Sequence, residues 1–180
     1  MARLAFTTIG VLHELRSHPR SKGFADRSPQ VMKLAEACDG FIARNALNSE
    51  TGRNSWGEVV RPSFVPPERE ANIAQTLSLW EDLESVYAFS YRPSLHTEAM
   101  GLRAEWFHAP DHPNYAAWWV ADDHQPDFVE GTARLEALHA NGPTPAAFNF
   151  KQPFDAQGQP TRLDPALFKA KAARNAVRQG

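Results

Sequence analysis

Residues 76–107 read TLSLWEDLESVYAFSYRPSLHTEAMGLRAEWF, and the fold turns on how this stretch divides. Its start continues a strand over Ala74–Trp80, with Thr76, Ser78 and Trp80 on one face and Leu77 and Leu79 on the other. The acids Glu81, Asp82 and Glu84 suit the positive end of a helix dipole, which places a helix over Asp82–Phe89. Pro93 removes a backbone donor and breaks or kinks that helix, which resumes near Ser94 and runs to Phe107.

Working outward, Arg3–Ile9 is a first strand, carried by alternation and by the β-branched run Thr7-Thr8-Ile9. Phe24–Ala37 is a helix with Val31, Leu34, Ala35 and Cys38 on one face. Pro29 is read as lying near its start, where a missing N–H does least harm. Asp39-Gly40 ends it, and Phe41–Asn45 is a second strand. The segment 46–72 is a long Ser-, Asn-, Gly- and Pro-rich insertion, in which Trp56 wants a surface to cover. Tyr115–Val120 is a fourth strand that sends Trp118 and Trp119 to opposite sides. Pro126–Asn141 is a helix with the stripe Phe128, Thr132, Leu135 and Leu138, stopped by Gly142. Lys151–Arg162 reads as a polar linker, and Asp164–Gln179 as a basic helix with a thin apolar face of Leu167, Phe168 and Val177.

The order strand, helix, strand, strand, helix, strand is the split βαβ arrangement of an α+β, ferredoxin-like domain: βαββαβ, an antiparallel sheet with helices on one face. Residues 1–150 form this domain and 151–180 the linker and C-terminal helix. A sheet bare on its second face, carrying Trp80 and one of Trp118 and Trp119, predicts a homodimer through that face.

Composition narrows the function. The chain has 180 residues and a net charge of −2, with basic residues scattered, which speaks against a nucleic-acid surface. Cys38 is the single cysteine, so no intrachain disulfide forms, and a cytoplasmic location fits. No apolar run approaches the ~20 residues a membrane-spanning helix needs.

Three segments carry a family resemblance: Ser78–Phe107, Tyr115–Pro126 and Ala133–Phe150. Their specific parts are Ser78-Leu79-Trp80, Phe89-x-Tyr91, His96, Glu105-Trp106-Phe107, Trp118-Trp119 and Gly142-Pro143-Thr144. With these the chain resembles domain-of-unknown-function family 3291 over most of residues 3–150, with the insertion and the tail as departures. The resemblance implies the dimeric α+β barrel superfamily, which includes cofactor-independent monooxygenases, haem enzymes, isomerases and noncatalytic binders. A more distant likeness, in the Ser-x-Trp strand and the Phe-x-Tyr…His helix, is to carotenoid-modifying haem monooxygenases.

His96, Met100, Arg103 and Phe107 share one helical face. His96 has three readings: a structural histidine, a haem ligand with Arg103 on a propionate, or an acid–base group. Tyr91 either orients a substrate oxygen or fills the gap beside the Pro93 kink. Arg103 binds a carboxylate or pairs with Glu105 on the surface. Trp80, Phe89, Met100, Trp106 and Trp118 line a pocket for an apolar or aromatic molecule, or form a dimer core. His108, Asp111 and His112 have metal-binding side chains, but Pro110 and Pro113 keep them off one helix face and no third spaced ligand follows; His13 and His18 share the weakness. The expectation is therefore a small-molecule enzyme of the monooxygenase kind using His96, Tyr91 and Arg103. Its alternative is a noncatalytic dimeric binder in which His96 is structural.

Overall fold

The computed structural model describes residues 2–48, 50–90 and 101–179. Four strands form one antiparallel sheet: β1 (Arg3–Val11), β2 (Phe41–Arg44), β3 (Ile73–Trp80) and β4 (Tyr115–Val120), in the order β2-β3-β1-β4. Helix α1 (Lys22–Glu36) joins β1 to β2, and α2 (Leu83–Ser90) follows β3. The one-turn α3 (Arg103–Trp106) precedes β4, and α4 (Phe128–Asn141) and α5 (Pro165–Gln179) follow it. This α+β order is compatible with a ferredoxin-like unit. Strand β4 starts and ends where its sequence pattern puts it, and the ends of β2, β3, α2 and α5 differ from expectation by one residue.

Two local readings change. Strand β1 runs on to Val11, because its partner β3 begins at Ile73 and supplies the matching ladder. Helix α1 begins at Lys22, which makes Pro29 an interior residue. The Ser28 hydroxyl donates to the Phe24 carbonyl at 2.6 Å, one residue before the carbonyl whose amide partner the proline lacks.

Strand alternation decides the layering. Leu4 and Phe6 of β1, Trp80 of β3 and Ala117 of β4 face one side and pack with Ala35 and Cys38, Leu83 and Val86, and Phe148. Ala5 of β1, Leu77 and Leu79 of β3, and Trp118 and Val120 of β4 face the other side and meet Phe128 of α4 and Trp56. Further along that face, Ile9, Val11 and Ala116 pack with Leu135 and Leu138 of α4 and with Val65. The expectation of helices on one face is thus corrected, because α4 lies opposite α1 and α2. The bare face that was the reason to expect a dimer is covered, and Trp80 and Trp118, each 1% exposed, are core residues on opposite faces.

The insertion is part of this covering layer. Asn45 Oδ1 accepts the Trp56 amide at 3.0 Å, and the Trp56 carbonyl accepts the Phe128 amide at 3.2 Å. Thr132 donates to the Val60 carbonyl at 3.0 Å, and Glu136 accepts the Ser63 amide at 2.6 Å. A buried tryptophan removes about 200 Å² from water, worth roughly 5 kcal/mol at about 25 cal/mol per Å². That offsets the ordering of a few loop residues at ~1–2 kcal/mol each.

The 151–162 segment also departs from its reading as a linker. The Trp119 indole donates to the Phe154 carbonyl at 2.7 Å, Phe148 bridges to Ala117, and Phe150, Phe154 and Leu163 pack on the core.

Helix α5 docks partly through the expected apolar face, where Phe168 meets Tyr87 edge-on with centroids 5.3 Å apart, and partly through polar groups. Asp164 caps its start, accepting the amides of Ala166 and Leu167. The Lys171 side chain is 3% exposed, with Nζ 3.1 Å from Asp82, 3.2 Å from Glu81 and 3.7 Å from Asp39. Asn175 is fully buried and accepts the Asp39 amide at 2.7 Å, whereas Val177 is 84% exposed. Burial pulls the Lys171 ammonium down, and the bonds to Asp82 and Glu81 outweigh it, leaving the pKa raised. The Arg174 hydrogen bond, opposed by burial and helped by the charges of Lys171, Arg174 and Arg178, holds Asp39 below the usual carboxylate range.

Lys171→Ala should destabilise the fold by about 1–3 kcal/mol, below the ~3–5 of a fully buried pair because water reaches Glu81. Val177→Ser should change nothing measurable in urea unfolding. For Asp39, whose folded pKa lies below its unfolded one, the stabilisation is present above the unfolded pKa and lost as pH falls through the folded one. Lys171→Ala should therefore cost less in acid, as unfolding at pH 7 and pH 3 would show.

Candidate functional site

Beyond Val11 the chain of β1 continues as a clamp. The Leu12 amide donates to the Asn72 carbonyl at 2.9 Å on one side, and Leu12 bridges to Phe107 on the other. The His108 amide donates to the Val11 carbonyl at 2.9 Å, and the His13 amide to that of Trp106 at 2.8 Å. Gly10 is required here, since a Cβ would fall 2.6 Å from the Phe107 ring. The clamp draws the end of the insertion, α3 and the loop after it around one strand end.

A cleft of about 90 Å³ opens between them. Gly10 and Val11 form its floor, Phe64 and Arg69 come from the insertion, Arg103 from α3, and His108, Asp111 and His112 from the following loop. His112 stacks on Phe64 with centroids 4.4 Å apart, and its Nδ1–H donates to the Pro113 carbonyl at 3.0 Å. His108 meets His13 edge-on at 4.4 Å, and His13 donates through Nε2–H to the Ala104 carbonyl at 3.3 Å.

The cleft is electropositive. Neither Arg69 nor Arg103 has a carboxylate partner among the described residues, and Arg103 does not pair with Glu105. Burial lowers the Arg103 pKa from its ordinary value. Burial also pulls His108 below the usual imidazole range, and the nearby charges of Arg69, His13 and Arg20 add to this. Forked guanidinium donors beside imidazoles are the chemistry of oxyanion recognition. Among the described residues Asp111 is the one acid in the lining. Among the described residues no group of three or more His, Cys, Asp or Glu side chains is arranged to hold a metal ion.

Of the sequence-read site residues, the structure places Arg103 in this cleft. Tyr91, His96 and Met100 lie outside the described residues. Trp80 stacks with Phe89 at 5.6 Å, and its indole donates to Ser78 at 2.8 Å. Trp118 donates to Glu130 at 2.8 Å on the opposite face, and Trp106 packs over Gly23 and under Arg27 at 5.8 Å. These four aromatics do not converge on one pocket. At about 90 Å³ the cleft is smaller than the ~300–1,000 Å³ of pockets for organic ligands.

Sequence reading missed Arg69 and undervalued His108. The His108-Ala-Pro-Asp-His112 run was visible, but only the fold brings an arginine from the insertion and His13 beside it.

Fold and cleft together define an α+β protein with a cationic pocket at the end of its central strand. The sequence pattern of the family described as domain of unknown function (DUF3291) matches residues 3–164, and the chain belongs to that family. The match takes in the insertion and the segment to Asp164, which sequence reading had set apart, and stops short of α5. No curated protein and no solved structure matches the chain.

His108 is expected to titrate below the ~6.5 of a free imidazole. Imidazole NMR titration checks this, and a value at or above the free one would show that burial and the cationic surroundings do not govern it.

Proposed function

We propose that the protein binds a small molecule through an anionic group, carboxylate or phosphate, seated between Arg69 and Arg103. The observation that carries this is a pair of arginines in one cleft without acid partners among the described residues, with His108 and His112 lining it and His13 against His108. Bringing like charges together costs energy unless an anion offsets it. The reading lies closer to a ligand-binding protein than to an oxygenase with an aromatic pocket. Its ligand keeps the apolar or aromatic body expected from the sequence only as a part outside the cleft, since the cleft admits little beyond the charged group.

Binding of sulfate and of acetate by calorimetry or NMR at pH 6 tests it. Arg103→Met and Arg69→Met should each weaken binding by roughly tenfold or more, the loss of one charged hydrogen-bonding pair. Unchanged affinity in both variants would sink the reading.

The oxygenase reading keeps one point of support, Arg103 in the cleft, directly after the segment that holds Tyr91 and His96. Haemin added to the protein is expected to give no shifted Soret band. A band that appears and is lost in His96→Ala would restore the haem version.

A dimer through the sheet is not part of the proposal, because α4 and the insertion occupy that face. Light scattering should give a mass near 20.1 kDa. Twice that mass would require a dimer contact on some other surface. No helix among the described residues is long and apolar enough to cross a membrane. The cytoplasmic location expected from the single cysteine stays part of this proposal.

A further inference from the structure

We propose that the cleft takes up one proton on the His108 imidazole when an oxyanion enters, so that anion binding tightens as pH falls. This rests on the anion-binding reading above and names the regulation of the same site.

The argument starts from what surrounds His108. His13, from the end of β1, meets its ring edge-on at 4.4 Å. Arg69 and Arg103 line the same cleft from the insertion and from α3, and His112 comes from its own loop. Arg20, from the turn before α1, reaches toward α3 and donates to the Glu105 carbonyl at 3.2 Å. Acids are fewer and mostly turned away. Asp111 lines the cleft, and Glu105 on α3 and Glu14 beside His13 are exposed. Glu68 and Glu70 flank Arg69 in the chain, and Glu70 sits 3.8 Å from Arg61.

In the empty cleft a proton on His108 adds a cation to cations, and the neutral ring is favoured. An oxyanion between the guanidinium groups reverses the local field and makes the charged ring the better partner, because it then donates a charge-assisted hydrogen bond. The step balances simply: solvent supplies one proton to a ring nitrogen, and the imidazolium faces the bound anion. Linkage makes the effect mutual, so an anion raises the proton affinity of His108 by the factor by which the proton raises anion affinity. A ligand that is fully ionised throughout, such as sulfate, feels this most cleanly.

The test is imidazole NMR from about pH 5 to pH 8, with sodium sulfate, with sodium acetate, and with sodium chloride at equal ionic strength. Sulfate should raise the His108 titration midpoint, and its affinity should fall by up to ~10-fold per pH unit above the free midpoint, the limit for one linked proton. A matching response to acetate would assign the site to carboxylates as well as tetrahedral anions, and a response to sulfate alone would narrow it to the latter. His108→Gln should still bind, more weakly, with the pH slope gone. Sulfate binding with the same affinity at every pH, or a slope that survives His108→Gln, overturns the proton linkage and leaves the anion site standing. No binding of either anion at any pH overturns both.

Discussion

The molecule is organised by one strand whose two faces are both apolar. β1 pairs with β3 along one edge and β4 along the other. Leu4 and Phe6 need a cover on one side, and Ala5, Ile9 and Val11 need one on the other. Helices α1 and α2 satisfy the first demand. Helix α4 and the insertion satisfy the second. The cleft follows from this: the insertion, once laid over the second face, ends beside Val11, where α3 arrives from the other side.

Much of this was legible in sequence. Alternation gave the strands, and the stripe Phe128, Thr132, Leu135, Leu138 gave α4 its buried face, with the first residue in the cluster that holds Trp118 and the last two in the cluster that holds Ile9. What alternation did not assign was the side of the sheet that the stripe would meet. A clue was present, since Ala5, Ile9 and Val11 are apolar at the parity opposite to Leu4 and Phe6. A strand apolar at both parities reads as covered on both sides. Reading the second face as bare kept a ferredoxin-like order but made the tryptophans a surface, when they are core.

The site was harder to see for a different reason. Histidines and arginines at the surface of a sequence look alike whether solvated or gathered. Arg69 and His108 are far apart in the chain, and they meet only because Leu12 is bonded to Asn72 and bridged to Phe107. Arg103 was legible through its helical spacing from His96, but its surroundings were not. The Trp56 loop was rightly read as seeking a surface, and the surface turned out to be the sheet itself.

Lys171 also makes the last helix a reader of strand register. Its three carboxylates come from two places: Asp39 before β2, and Glu81 and Asp82 after β3. Those two places are brought together only when β2 and β3 pair, which aligns Phe41 with Trp80. Without that pairing the three acids do not converge, and Lys171 loses its cradle. The hold on α5 is therefore conditional on the register of this sheet edge, even though Glu84 accepts the Asp164 amide and Phe168 meets Tyr87. A chain with β2 slipped by one residue would offer the lysine a scattered set of acids and weaken the docking of α5.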